Sequence, residues 1–301
     1  MNSLPGGNAL LALAAATLWG GSDFSGGMGV KRAGGGLRAG LCVVLLSHVS
    51  SFIVLIAIAR MWGIAPPHGS LLAWGLAAGV LGGLSLTAFY VALSRGAMGA
   101  SAAVSGLLAA AIPAAVSLWM EGSPGVRPLG GFAVAGLAIW LIAAGPTEET
   151  VDAVGRAAAR TTMTLATLAG VGFGFYFVAL KMAGPVGIIW PMATSRIGSI
   201  AVCLLMLLEV GLRSAKGSVE RVRLGRLAVG WTLGTALLDT SGNLLYVAAT
   251  RAGRLDVAAV LASLYPAGTI LLAALALGER PTRRQALGMA TATLAVALIA
   301  L

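Results

Sequence analysis

Charge is scarce in this chain. Its 301 residues include only 10 acidic and 20 basic side chains, 10% in all, where a soluble domain carries roughly 25%. Too little polar surface exists to keep such a chain in water, so a bilayer is its natural solvent. Cysteine is almost absent as well. Cys42 and Cys203 both lie inside apolar stretches, which excludes a disulfide framework or a thiolate metal site and leaves buried free thiols. No GxxxxGK[ST] segment occurs, so nucleotide hydrolysis through a phosphate loop is excluded. The first apolar run has no Lys or Arg before it and no evident cleavage site, so no removable signal peptide is expected.

What the chain has instead is apolar length. Hydrophobic residues make up 58%, with a mean hydropathy of +0.93. A membrane span needs about 20 mostly apolar residues. Ten such runs are readable, at 8–28, 37–59, 70–94, 99–120, 128–145, 162–182, 187–211, 226–250, 255–277 and 283–301. Pro66-Pro67-His68-Gly69, Glu121-Gly-Ser-Pro124 and Gly278-Glu-Arg-Pro281 separate neighbouring runs. The net charge of +10 sits at the ends of these runs, as membrane anchors do, and nucleic acid is not an expected partner. The 43 glycines lie mostly within the runs, where small residues let helices approach closely. Gly75/Gly79/Gly83, Gly170/Gly174 and Gly230/Gly234 each have GxxxG spacing and are expected to pack statically.

The chain also repeats. Tyr90-Val-Ala-Leu-Ser-Arg95 returns as Tyr246-Val-Ala-Ala-Thr-Arg251 at an offset of 156, and Leu141-Ile-Ala143 returns as Leu298-Ile-Ala300 at 157. Each copy holds five apolar runs, an odd number, so the second inserts upside down relative to the first. The fold class expected is all-α integral membrane: ten transmembrane helices as two inverted five-helix repeats. The first covers residues 1–145, a polar connection 146–161, and the second 162–301. Counting Lys and Arg by side gives fourteen on one face and five on the other. The positive-inside rule puts the richer face, with the 145–161 and 211–226 loops, in the cytoplasm and both termini outside.

Leu18-Trp19-Gly20, the paired blocks at Arg95 and Arg251, and Leu264-Tyr-Pro266 followed by Leu277-Gly-Glu-Arg280 resemble the drug/metabolite transporter superfamily, specifically its EamA-type ten-span members. The resemblance covers essentially the whole chain. It implies a secondary transporter in the cell membrane that moves a small metabolite, an amino acid or related compound, in the export direction by alternating access. The cavity would lie between the halves, and no cofactor is implied. A small-molecule substrate and the lipid bilayer are the partners implied, with a coupling proton as a further candidate. Bacterial members are usually drawn with both termini cytoplasmic, against the charge count.

Ionisable residues deep in a span are costly in lipid and face a bundle interior or a wet cavity. Asp23, Arg196 and Asp239 are such residues. Thr235, Asp239, Asn243 and Tyr246 follow at helical spacing on one face, and Trp19 shares a face with Asp23. The candidate substrate-binding residues are Trp19, Asp23, Tyr90, Tyr176, Arg196, Asp239, Asn243, Tyr246 and Tyr265. The plainer reading pairs Arg196 with Asp239 or Asp23 and makes it a helix tie. Ser195-Arg196 aligns with Ser47-His48 across the repeats, and His48 reads as a satisfied packing residue. Pro113 and Pro266 are expected to kink their spans. Two other classes compete: an intramembrane hydrolase using Ser101 with His48 or His68, and a channel or scaffold.

Overall fold

The computed structural model describes residues 7–95, 98–143, 153–214, 222–277 and 282–300. These are almost wholly helical, and no strand occurs among them. The helices are α1 (Gly7–Arg32), α2 (Gly36–Met61), α3 (Gly69–Ser94), α4 (Met98–Glu121), α5 (Val126–Ala143), α6 (Ala153–Ala183), α7 (Ile189–Ser214), α8 (Arg226–Ala252), α9 (Leu255–Ala262), α10 (Tyr265–Leu277) and α11 (Arg283–Ala300). A helix satisfies every backbone polar group internally, as an apolar solvent demands. The reversal between α1 and α2 runs through Gly34, Gly35 and Gly36 at φ 114°, 76° and 76°, a region open to glycine and strained for other residues.

Six helical stretches are long and apolar enough to cross a membrane by length and composition: Gly36–Met61, Gly69–Ser94, Ser101–Glu121, Ala158–Val186, Ile189–Arg213 and Leu255–Ala276. Helices α1 and α8 have the length, 26 and 27 residues, yet lack the apolar purity. The reason is position. They pack along each other, and on its inward face α8 buries Thr232, Thr235, Asp239, Thr240, Asn243 and Thr250. A helix face covered by its neighbours can carry such side chains, while Leu227, Leu233 and Leu237 of α8 face outward.

Around this pair, α3 packs on α6 and α7, α4 on α6, α2 on α7, and α5 on α11. Glycines set the closest approaches. A Cβ on Gly79 would overlap the Ser195 carbonyl, and one on Gly198 the Leu76 carbonyl, so α3 and α7 meet backbone to backbone. Gly170 and Gly174 also lie close against Ser105 and Ile112 of α4, with a Cβ at either meeting its neighbour at 2.7 Å. The third pair departs from expectation. A Cβ on Gly230 would meet nothing within 4 Å, and one on Gly234 only Ser25 Oγ at 3.9 Å, because Gly230 faces outward.

Two further differences concern boundaries. Helix α6 begins at Ala153, inside the stretch read as a connection; the remainder of that stretch, 146–152, lies outside the described residues. The ninth run is two helices rather than one kinked span. It breaks at Ser263-Leu264, and Pro266 occupies the first turn of α10, where its missing N–H costs no helical bond. Pro113 lies within an unbroken α4.

Candidate functional site

Asp239 and Asn243 are one helical turn apart on the buried face of α8. Asn243 Nδ2 donates to the Asp239 carbonyl at 2.8 Å and to Asp239 Oδ1 at 2.9 Å. Its own Oδ1 accepts from the Tyr176 hydroxyl of α6 at 2.7 Å. The other carboxylate oxygen, Asp239 Oδ2, accepts from Arg196 Nη2 of α7 at 2.5 Å. Arg196 is 2% exposed. It also donates to Thr240 Oγ1 at 3.1 Å and meets His48 Nε2 of α2 at 2.7 Å.

The last contact decides the state of His48. A guanidinium only donates, so Nε2 must accept and be unprotonated. The proton then lies on Nδ1, which donates to Ser199 Oγ at 2.5 Å. His48 is therefore neutral, and its 3.9 Å approach to Asp239 is no ion pair. This tautomer also counts against a hydrolase. A base that activates a serine must accept its proton, whereas His48 gives its own to Ser199, and it is not bonded to Ser101. His68 stands at the exposed start of α3.

Two adjoining cavities border this network. The larger, about 320 Å³, is lined by Trp19, Asp23, Leu86, Phe173, Tyr176, Phe177, Asp239, Asn243 and Tyr265. The second, about 240 Å³, includes His48, Ser195, Arg196 and Ser199 and shares Leu86, Phe173, Tyr176 and Asp239 with the first. Trp19 stacks on Phe177 at 5.1 Å and 10°, and Tyr265 meets Trp19 edge-on at 6.4 Å. Gly20 makes that arrangement possible. A Cβ there would stand 2.9 Å from Gly268 Cα, so α1 and α10 close together beside Trp19.

Of the nine residues expected to bind substrate, six line the larger cavity: Trp19, Asp23, Tyr176, Asp239, Asn243 and Tyr265. Arg196 lines the second. Tyr90 and Tyr246 line neither and are wholly buried. Tyr90 sits against Gly26, with its hydroxyl 3.2 Å from Ser22 Oγ, and Tyr246 packs 4.7 Å from Phe177. They stand a layer behind the wall, where both rings are buried among neighbouring helices. Sequence reading passed over Phe173 and Phe177, one turn apart on α6, and Leu86. Phe175, between them, turns outward at 51% exposure. The register of Phe173 and Phe177 with Tyr176 was the available signal.

The EamA-like transporter family matches residues 160–301. The match spans nearly all of the second half of the chain. It supplies Tyr176, Arg196, Asp239, Asn243 and Tyr265, more than half of the site. With the apolar helices, that match makes the chain a multi-pass membrane protein whose second half is similar to a transporter family. A solved structure described as "Crystal structure of protein" superposes with a TM-score of 0.68 over 97% of this chain and 95% of its own, at 17% identity; that likeness speaks for the fold alone. No curated protein matches the chain.

A separate polar cluster ties the EamA-like half to the α4–α5 turn at one end of the bundle. Glu121 accepts from Lys181 Nζ at 3.0 Å, Ser117 Oγ at 3.0 Å and the Leu255 amide at 3.2 Å. Arg254 donates to the Gly122 carbonyl at 2.6 Å and to Asp256 at 2.8 Å. The hydrogen bond to Asp256 raises the Arg254 pKa above its ordinary value. Arg251 donates to the Gly184 carbonyl.

Proposed function

We propose that this protein is a secondary transporter that carries a small metabolite, an amino acid or related amine-bearing compound, out across the cell membrane by alternating access. The observation that carries the reading is the composition of the larger cavity. Its wall mixes α1 and α3 from the first half with α6, α8 and α10 from the second, and polar groups converge in it within an aromatic lining. A site shared between halves changes its access when one half rocks against the other.

The inverted-repeat architecture is part of this proposal, with all ten apolar runs crossing the bilayer. The packing pattern supports it. Exchanging the halves turns the α1–α8 contact into the α6–α3 contact, and the α2–α7 and α5–α11 contacts into themselves. Tyr90 and Tyr246 are equally buried at equivalent positions.

Counterflow in proteoliposomes tests the function. Vesicles preloaded with an unlabelled metabolite should accumulate its labelled form transiently and saturably, and Asn243→Leu should lower that exchange at least about tenfold by stripping the Tyr176 and Asp239 partners. Linear uptake without counterflow would indicate a channel, and conversion of the label an enzyme. The absence of transport for every member of a broad amine and amino-acid set would overturn the proposal.

A further inference from the structure

Asp23 is 6% exposed, lines the larger cavity, and its Oδ2 has no hydrogen-bond partner. Buried carboxylates are ordinarily paired or bonded, and the other aspartate on the same wall is. Among the residues lining the two cavities, Asp23 is therefore the one acid without a basic partner. Arg196 offsets Asp239 at 2.5 Å, His48 is neutral by its contacts, and Asp23 is left over. Five of the nine residues lining the larger cavity are aromatic, and Trp19, Phe173 and Phe177 form a stacked series, with centroids 5.1 and 6.5 Å apart along it.

We infer that the larger cavity is a site for an organic monocation, an amine or quaternary ammonium, held by Asp23 at its charge and by the aromatic wall around it. The inference rests on the transporter reading for its purpose, but the site can be tested by binding alone. The physical case has two parts. A carboxylate in a low-dielectric cavity demands a counter-charge, and one positive charge brings the site to neutrality. Aromatic faces attract cations, most strongly where both are desolvated, and they give no such help to an anion. A zwitterion fits less well. Its ammonium would satisfy Asp23, but its carboxylate would restore the excess negative charge. Among the residues lining the two cavities the one guanidinium, Arg196, already donates to Asp239 and Thr240 and meets His48. Arg196 Nε is also without a partner, yet Arg196 borders the second cavity and not the larger one.

Three probes of similar size separate the possibilities: phenyltrimethylammonium, phenylalanine and 3-phenylpropionate. Equilibrium dialysis against the full-length protein in detergent should show saturable binding of the ammonium, at least about tenfold tighter than either of the others. Asp23→Asn should weaken it about tenfold or more, and Asp23→Glu, which keeps the charge, should recover part of the loss. Phe177→Leu should weaken the ammonium by a smaller factor, about threefold or more, without favouring the anion. Each variant is accepted only if it elutes from size exclusion as the parent does. Failure of the ammonium to bind, or equal or tighter binding of phenylalanine, overturns the inference. So does unchanged binding in Asp23→Asn, whose amide mimics the protonated acid. Counterflow distinguishes the two claims. Ammonium binding without exchange in proteoliposomes overturns the carrier and keeps the site, whereas phenylalanine exchange without ammonium binding keeps the carrier and overturns the site.

Discussion

Asp239 gives one carboxylate oxygen to Arg196 and the other to Asn243, while Asp23, on the facing helix, leaves Oδ2 unbonded. The same residue type thus has two chemistries, set by what stands opposite. For Asp239 the ion pair is a constraint on stability. Removing one member of a buried pair leaves an uncompensated charge and costs about 3–5 kcal/mol, while replacing both by neutral groups is often tolerated. Asp239→Asn is expected to lower the unfolding temperature in detergent sharply, and the double variant Asp239→Asn with Arg196→Gln to recover most of the loss. If the double variant is as unstable as the single one, Asp239 is held by something other than Arg196. His48 belongs to the same network, and its neutral state follows from Arg196 having no acceptor atom to offer.

Helices carry the next level of information in their small residues. Gly79 and Gly230 both belong to GxxxG steps, and only Gly79 touches a neighbouring backbone. Gly79→Ala is expected to force α3 and α7 apart at a cost of about 1–3 kcal/mol, in the range of other overpacked interiors. Gly230→Ala should be neutral or stabilising by up to about 1 kcal/mol, since it meets nothing and improves helix propensity. Thermal unfolding of the two variants side by side checks the contrast, and equal losses would contradict the packing described. The broken helix α9–α10 is a second element-scale feature. It starts α10 at Tyr265, which places that ring beside Trp19.

Across the whole molecule the sequence echo between the halves does not extend to their intramembrane charges. The residue 156 positions before Asp239 is Gly83, and that before Asn243 is Thr87, so the carboxylate and amide of α8 have no equivalent on α3. The Glu121–Lys181–Arg254 cluster is likewise confined to one end, where α4, α6 and α8 finish. Orientation belongs to this scale as well. The fourteen-to-five Lys/Arg count leads us to expect the loops around 149 and 218, both outside the described residues, in the cytoplasm. In a variant with Cys42 and Cys203 replaced, Glu149→Cys should resist an impermeant maleimide in intact cells and react once they are permeabilised. Ready labelling in intact cells would establish the opposite insertion, with both termini inside.

Length and apolar pattern were enough to place the helices. Every expected run is occupied by helix in the described residues, because in lipid a long apolar segment has no other way to satisfy its backbone. The intramembrane charges were equally visible, since each is conspicuous against its apolar neighbours. Partner choice was not visible. That Arg196 takes Asp239 and leaves Asp23 alone depends on which faces of α1, α7 and α8 meet, and those faces are set by glycine contacts distributed over several helices. The same holds for Tyr90 and Tyr246, whose repeat marks them out in the chain but whose depth behind the cavity wall is a matter of helix rotation. Gly230 makes the point in reverse: its spacing matches that of Gly79, and only the neighbour on the other side, present or absent, gives the spacing a meaning.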